Sequence, residues 1–289
     1  MGFEETLIAA LRKHVGQHKF DHGHALVLSG GVGRGGAARL AARGALRIGA
    51  GLVTLGCPPA ALIENAARLD AVMLRPLRDA SALRATLEDR RISAVCVGPG
   101  FGLEAREADL LDALLDMARV QALPLVLDAD ALTLLARWTG GLPTLPAGSV
   151  LTPHDGEFAR LFPDLAAQMS CDSPAEAHAA RRLAVAEAAR RVQAVVLLKG
   201  ARTVIAGPQG QVVEQAATGP RAAPWLATAG SGDVLAGFVT GLCARGIDGV
   251  DAAQWAAFLH VETARGFGPG LIAEDLPDRL PVVLRRLGV

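Results

Sequence analysis

The stretch ATAGSGDVLAG at 227–237 sets a Gly-Ser-Gly turn directly before one acidic residue, Asp233, and an apolar run of helical character. Gly230 and Gly232, with Ser231 between them, let main-chain N–H groups approach an anion closely, and the unpaired N–H groups of a helix start carry partial positive charge. Such a turn is suited to phosphate. Asp233 would stand beside the anion rather than bind it. A carboxylate there can take a proton from a hydroxyl attacking phosphorus, hold magnesium through water, or cap the helix.

Other candidate groups follow apolar runs elsewhere in the chain. SGGVGRGGAA at 29–38 carries Gly31, Gly33 and Gly36 in GxGxxG spacing. A dinucleotide fold would add an acidic residue about 20 positions on, at the end of the second strand. That run ends Leu55-Gly56-Cys57-Pro58, so a different phosphate- or substrate-facing loop is the better reading. VGPGFG at 97–102 turns sharply around Pro99, and DADAL at 128–132 offers Asp128 and Asp130. Asp128 either coordinates through a water or caps the following helix. In TPHDGEFARLF at 152–162, His154 lies in a loop as a ligand contact or a structural histidine, Asp155 reads as a cap, and Glu157 falls in the first turn. KGART at 199–203 leaves a buried run. Its backbone N–H groups can cradle phosphates while Lys199 either adds a point charge or snorkels to water. The absence of GxxxxGK[ST] excludes a Walker loop.

These groups need a frame. Apolar runs at 24–29, 51–56, 93–98, 123–128, 148–152 and 194–200 read as strands buried on both faces, and the segments between them have helical periodicity. The expected architecture is α/β: a three-layer α/β/α sandwich with a mostly parallel central sheet. TVIAGPQGQVVEQ adds an antiparallel hairpin at one edge. Helices are expected over about 233–245 and 250–266, followed by a proline-punctuated tail, and PDLAAQMSCDSP at 163–174 reads as a surface loop. Ligand sites of open α/β sheets lie outside the carboxyl ends of the strands, where these motifs fall.

With 51% hydrophobic residues, the 289-residue chain can bury a large core as one domain over 1–289. The 29 basic and 29 acidic residues balance, so no broad field for nucleic acid or an anionic membrane is present, and small molecules are the expected ligands. Cys57, Cys96, Cys171 and Cys243 are scattered, which fits structural thiols in a reducing compartment and no zinc site. The amphipathic N-terminus, MGFEETLIAALRKH, lacks the features of a signal peptide, and no run is long enough to span a bilayer, so a cytoplasmic protein is expected. All but three of the 29 basic residues are arginine, which makes Lys199 conspicuous.

Taken in order, SGGVGRGGAARLAARGALRIGAGLVTLGCP, VGPGFG, LVLDADAL, LTPHDGE, LLKGARTVIA and ATAGSGDVLAG resemble the ADP- or ATP-dependent NAD(P)H-hydrate dehydratases, carbohydrate-kinase-like members of the ribokinase-like superfamily. The likeness runs from about residue 20 to 285. It implies a ribokinase-like fold, with Ala37, Gly102, His154 and Asp233 facing the hydrated cofactor. It also implies that Lys199, Gly200, Ala201, Arg202, Thr203 and Gly232 bind the nucleotide, and that Asp233 is catalytic. The sequence departs from the family at Gly31 and Arg34, where serine and methionine are common, at Ala223-Pro224 in place of Asn-Pro, and at Ala229, where the common motif has glycine.

The reaction so implied is dehydration of the S-epimer of NAD(P)H hydrate, with ADP or alternatively ATP as phosphoryl donor. Magnesium would arrive with the nucleotide, and no residue is expected to ligate metal directly. A homo-oligomer is expected. Many relatives carry an N-terminal epimerase domain, for which this chain has no room, so a separately encoded epimerase or a longer parent product is implied. A superfamily kinase acting on a vitamin precursor or sugar is the alternative, and a noncatalytic nucleotide-binding sensor is the second.

Overall fold

The computed structural model describes residues 2–138, 141–170 and 173–289. Among these, nine strands form one sheet: β1 (His24–Leu28), β2 (Leu52–Cys57), β3 (Met73–Pro76), β4 (Ile92–Val97), β5 (Leu125–Leu127), β6 (Val150–Leu151), β7 (Val195–Leu198), β8 (Arg202–Ala206) and β9 (Val212–Ala216). Their order is β3-β2-β1-β4-β5-β6-β7-β8-β9. Pairing is parallel through β7 and antiparallel over β7-β8-β9, with Val204 opposite Glu214 in the edge hairpin. The expected strands and hairpin are present. β3 was not anticipated, because Met73-Leu74-Arg75-Pro76 is short, mostly exposed and ends in a residue that cannot donate to a ladder.

Twelve α-helices flank the sheet among the described residues. They are α1 (Phe3–Leu11), α2 (Gly35–Arg47), α3 (Leu62–Ala66), α4 (Ala80–Leu87), α5 (Ala105–Gln121), α6 (Ala129–Ala136), α7 (Asp155–Leu161), α8 (Pro163–Gln168), α9 (Pro174–Val192), α10 (Ser231–Ala244), α11 (Gly249–Phe267) and α12 (Asp275–Leu287). Alternation along β1 divides the core. Ala25 and Val27 pack toward α2, α10 and α11, while Leu26 and Leu28 pack toward α4, α5 and α9. The first of these layers depends on small residues. A Cβ at Gly237 would lie 2.2 Å from the Ala41 carbonyl oxygen, so α10 can approach α2 this closely only with glycine there.

Two expectations need correction. The segment at 163–174 holds a helix over Pro163–Gln168 and the start of another at Pro174: Pro163 opens α8, Leu165 is buried, and Ser173 caps α9 by accepting from the Glu176 N–H. Cys171 lies outside the described residues, whereas Cys57, Cys96 and Cys243 are buried free thiols. The tail is also a helix, α12. Pro277 sits in its first turn, where no N–H is needed, and only Pro281 removes a donor from the interior. Its register is pinned from outside, with Arg43 and Arg47 donating to Asp278 and Arg279 donating to the Gly266 carbonyl.

Chain direction across the sheet reverses between β1 and β4, so the loops leaving these two strands part and open a crevice at their carboxyl ends. They nearly touch at its floor. A Cβ on Gly30 would lie 2.0 Å from the Gly100 carbonyl oxygen.

Candidate active site

Every motif singled out in the sequence except the Gly207–Gly210 hairpin turn lies at this carboxyl edge, and α10 brings its turn to the same place. Gly230 takes φ +89°, in the left-handed region, as the N-cap of α10. The Ser231 hydroxyl donates to the Leu226 carbonyl at 2.8 Å and closes the preceding loop. Asp233 is the third residue of the helix and leaves the cap to Gly230, which removes the capping role considered for it.

Burial pushes the Asp233 carboxyl up to about 7. The negative charge of Asp128 adds to this, Lys199 opposes it, and Asp130 and Glu157 add smaller contributions. Asp233 is thus surrounded by the acidic residues of the neighbouring loops.

Lys199 directly follows β7 and turns inward. Its Nζ donates to Asp128 Oδ1 at 2.8 Å and lies 3.8 Å from Glu157 Oε2. It also sits 3.5 Å from where a Cβ on Gly232 would be, which places the ammonium against the α10 turn. Burial alone would lower its pKa, but Asp128, Glu157 and Asp233 outweigh burial and raise it, so the residue is a fixed cation rather than a snorkelling one. Its main chain is held as well, because Arg181 donates to the Lys199 carbonyl at 2.9 Å.

Asp128 is 1% exposed, and its side chain caps nothing. Oδ1 accepts from both Lys199 and the Thr152 hydroxyl, the latter at 2.9 Å. His154, not Asp155, is the N-cap of α7. Its Nδ1 accepts from the Gly156 and Glu157 N–H groups at 3.0 and 3.3 Å, while Glu157 Oε2 accepts from the His154 N–H. With Nδ1 occupied as an acceptor, the ring's donor is Nε2, which lies 3.4 Å from Glu157 Oε1, and the side chain is half-exposed. Asp155 pairs instead with Arg181.

On the crevice side, Ala37 meets Gly100, and Gly102 meets Asp130. A Cβ on Gly100 would lie 3.3 Å from that of Ala37, and the Gly102 N–H donates to Asp130 Oδ2 at 2.8 Å. In the GxGxxG loop, the Gly33 N–H donates to Glu64 Oε2 at 2.9 Å, so a side chain of α3 occupies the main-chain donor a dinucleotide phosphate would use.

On the other side of the turn lies a cavity of about 580 Å³, bordered by Lys199, Gly200, Ala201, Thr203, Ser231 and Gly232 at its polar end. Alanines, Pro224, Leu226, Leu235 and Val261 make up most of the remaining wall. An apolar slot with polar groups converging at one end suits a flat base carrying phosphates. Arg202, expected among the nucleotide contacts, lies between two residues of this wall, Ala201 and Thr203, and its guanidinium reaches across the hairpin to Glu214 at 3.0 Å. His260 borders the cavity as a buried neutral ring. Burial pulls its pKa down to about 4, against hydrogen bonding to the Ser231 main chain.

Sequence reasoning missed Thr152, Arg181 and His260. Thr152 carried one signal, its place at a strand end before Pro153. The other two lie on long helices, α9 and α11, whose pattern announces only which face packs inward.

Several known proteins share this arrangement of chain. Residues 25–280 match the family model Carb_kinase, described as NAD(P)H-hydrate dehydratase. The bifunctional NAD(P)H-hydrate repair enzyme of Moorella thermoacetica is 40% identical over 96% of this chain, which spans only 52% of that protein's length. The ADP-dependent (S)-NAD(P)H-hydrate dehydratase of Xanthomonas campestris is 33% identical, with 94% of this chain and 91% of the relative covered. Among solved structures, the Bacillus subtilis ADP/ATP-dependent NAD(P)H-hydrate dehydratase co-crystallised with ATP and magnesium superposes with a TM-score of 0.79 at 29% identity, covering 98% and 97% of the two chains. The architecture is ribokinase-like.

Proposed function

Because the chain belongs to the NAD(P)H-hydrate dehydratase family, we propose that it dehydrates the S-epimer of NAD(P)H hydrate, with ADP, or alternatively ATP, as phosphoryl donor. The observation that carries this reading is Asp233. It is a carboxylate that burial pushes up to about 7, one residue beyond a phosphate-suited turn whose Ser231 and Gly232 border the nucleotide-sized cavity, and it feels the charge of Asp130, which accepts from the Gly102 N–H. A base of near-neutral strength is suited to proton transfer at physiological pH.

In the proposed reaction the C6 hydroxyl oxygen of the hydrate attacks the terminal phosphorus of ADP, Asp233 takes the hydroxyl proton, and the bond to AMP breaks. The main-chain N–H groups of the α10 turn and the Lys199 ammonium receive the charge of the transferring group. The C6–O bond then breaks with the electron pair leaving on phosphate. The ring nitrogen's lone pair supports the departure, and loss of a C5 proton restores the double bond. The products are NAD(P)H, phosphate and AMP.

Magnesium would be carried on the nucleotide's phosphates, where it would offset their charge. We read residues 1–289 as one such domain, acting in the cytoplasm as a homo-oligomer and functionally linked to an NAD(P)H-hydrate epimerase. No helix among the described residues is long and apolar enough to cross a membrane.

The test is the near-ultraviolet absorbance of dihydronicotinamide on mixing the protein with hydrated NADH or NADPH, magnesium and either ADP or ATP. The expected result is a nucleotide-dependent rise with stoichiometric free phosphate. A stable phosphoester without the rise would make the chain a small-molecule kinase. Nucleotide binding with no turnover would make it a sensor.

A further inference from the structure

Lys199 is one of three lysines in the chain and is held by a larger apparatus than a phosphate-binding lysine needs. Asp128, which supplies its nearest contact, lies on the loop after β5, borders neither side of the turn as a ligand contact, and is almost wholly removed from solvent. Burying a carboxylate is costly unless its oxygens are satisfied. Here one oxygen takes two donors, Lys199 Nζ at 2.8 Å and Thr152 Oγ1 at 2.9 Å.

We propose that Asp128 is a positioning residue, its buried carboxylate holding the Lys199 ammonium against the Gly230–Asp233 turn so that the ammonium meets the transferring phosphoryl group without searching for it. The inference rests on the dehydratase reading for the identity of that group. The clamp itself follows from geometry. Thr152 fixes the carboxylate, the carboxylate fixes the ammonium, and Arg181 fixes the lysine main chain at 2.9 Å. A flexible four-carbon stem is thereby ordered before any ligand arrives, which removes an ordering cost from the reaction.

The same carboxylate acts on Asp233 through its charge. The groups bearing on Asp233 are Asp128, Lys199, Asp130 and Glu157, and among these charges Asp128 has the largest effect, an upward one. Neutralising Asp128 lowers the Asp233 pKa directly, and a released Lys199 lowers it further by approaching Asp233. Both effects have the same sign.

The experiment is a double-mutant cycle with Asp128→Asn and Lys199→Met, read as kcat and as the pH profile of kcat/KM, with wild-type turnover as the control for the dehydratase reading. Asp128→Asn alone should lose about tenfold to a hundredfold in kcat, the range of a charged hydrogen bond, and its acid limb should move to lower pH by about half a unit or more. In the Lys199→Met background the same substitution should cost almost nothing in kcat. Additive losses would overturn the clamp, as would a kcat loss with the acid limb unmoved. Thr152→Val, which strips the second donor from the same oxygen, carries the test if Asp128→Asn does not fold. Its kcat loss should also vanish in the Lys199→Met background. If wild type lacks dehydratase turnover, the dehydratase reading fails, and the cycle is then read on the dissociation constant of ADP, where coupling supports the clamp and additivity overturns it.

Discussion

The Gly102 main-chain N–H donates to Asp130 Oδ2 at 2.8 Å, tying the loop after β4 to the first turn of α6. This one bond shapes the crevice wall on which the hydrated cofactor is proposed to rest. Asp130→Ala leaves the N–H without its acceptor and should raise KM for the hydrate about tenfold, in line with a charged hydrogen bond, with a smaller change in kcat. Asp130→Asn keeps an oxygen acceptor and should stay near wild type. Steady-state kinetics of the two variants checks this, and equal KM values would show that the loop is held by something else.

Asp233→Asn should lose at least about a hundredfold in turnover while still binding ADP. In the wild type, kcat/KM should rise with pH through about 7 as the carboxylate forms. Stability has the opposite dependence. Between 3.8 and about 7 the folded state holds a proton the unfolded state has released, so this group's contribution falls as pH rises through that window and remains unfavourable above it. The inactive Asn variant should therefore melt higher than wild type at alkaline pH, with the difference shrinking toward pH 4. Melting curves at several pH values measure it, and a variant that melts lower throughout would contradict the assigned burial cost.

Two glycines of the turn should respond differently to alanine. At Gly230, φ is +89° and a Cβ would lie 2.7 Å from Leu40 Cδ1 and 2.8 Å from Ala273 Cβ, so Gly230→Ala should cost roughly 1–3 kcal/mol of stability as well as activity. At Gly232 the Cβ meets only Lys199 Nζ, at an ordinary 3.5 Å, and the residue is helical. Gly232→Ala should fold at least as stably as wild type yet lose turnover, because the methyl stands where a phosphoryl group would pass. Thermal melts paired with activity separate these outcomes.

Ala223 lines the cavity of about 580 Å³ and is half-buried. Filling the slot with Ala223→Phe should abolish the rise in Tm that ADP gives the wild type, which corresponds to about 2.7 kcal/mol at a hundred times Kd. The melting point without ligand should change little. An undiminished ADP shift in this variant would place the nucleotide elsewhere.

Much of this was legible before any coordinates. Runs such as HALVL and AVVLL are apolar on both alternating faces, which only a strand covered on two sides tolerates, and glycine-rich loops mark their carboxyl ends. The turn at 230–233 announced itself because glycine, serine and aspartate in that order serve few structures other than an anion-facing helix start. β3 escaped notice because four largely exposed residues ending in proline carry no periodic signal, and α12 because two prolines mimic a broken tail until Arg43, Arg47 and Arg279 are seen to anchor it.

What the chain determined by itself, then, is the layered architecture and the set of loops that gather at one sheet edge, since both follow from local pattern and from each motif's place directly after a buried run. Tertiary structure alone decided the roles within that set. Asp128 accepts from Lys199 rather than capping α6, His154 took the α7 cap from Asp155, and the Arg202 guanidinium paired with Glu214. The physical reason is that capping, ion pairing and a shifted pKa depend on distances and burial between residues far apart in sequence. Asp128 and Lys199 lie 71 positions apart, and no local pattern encodes their 2.8 Å contact.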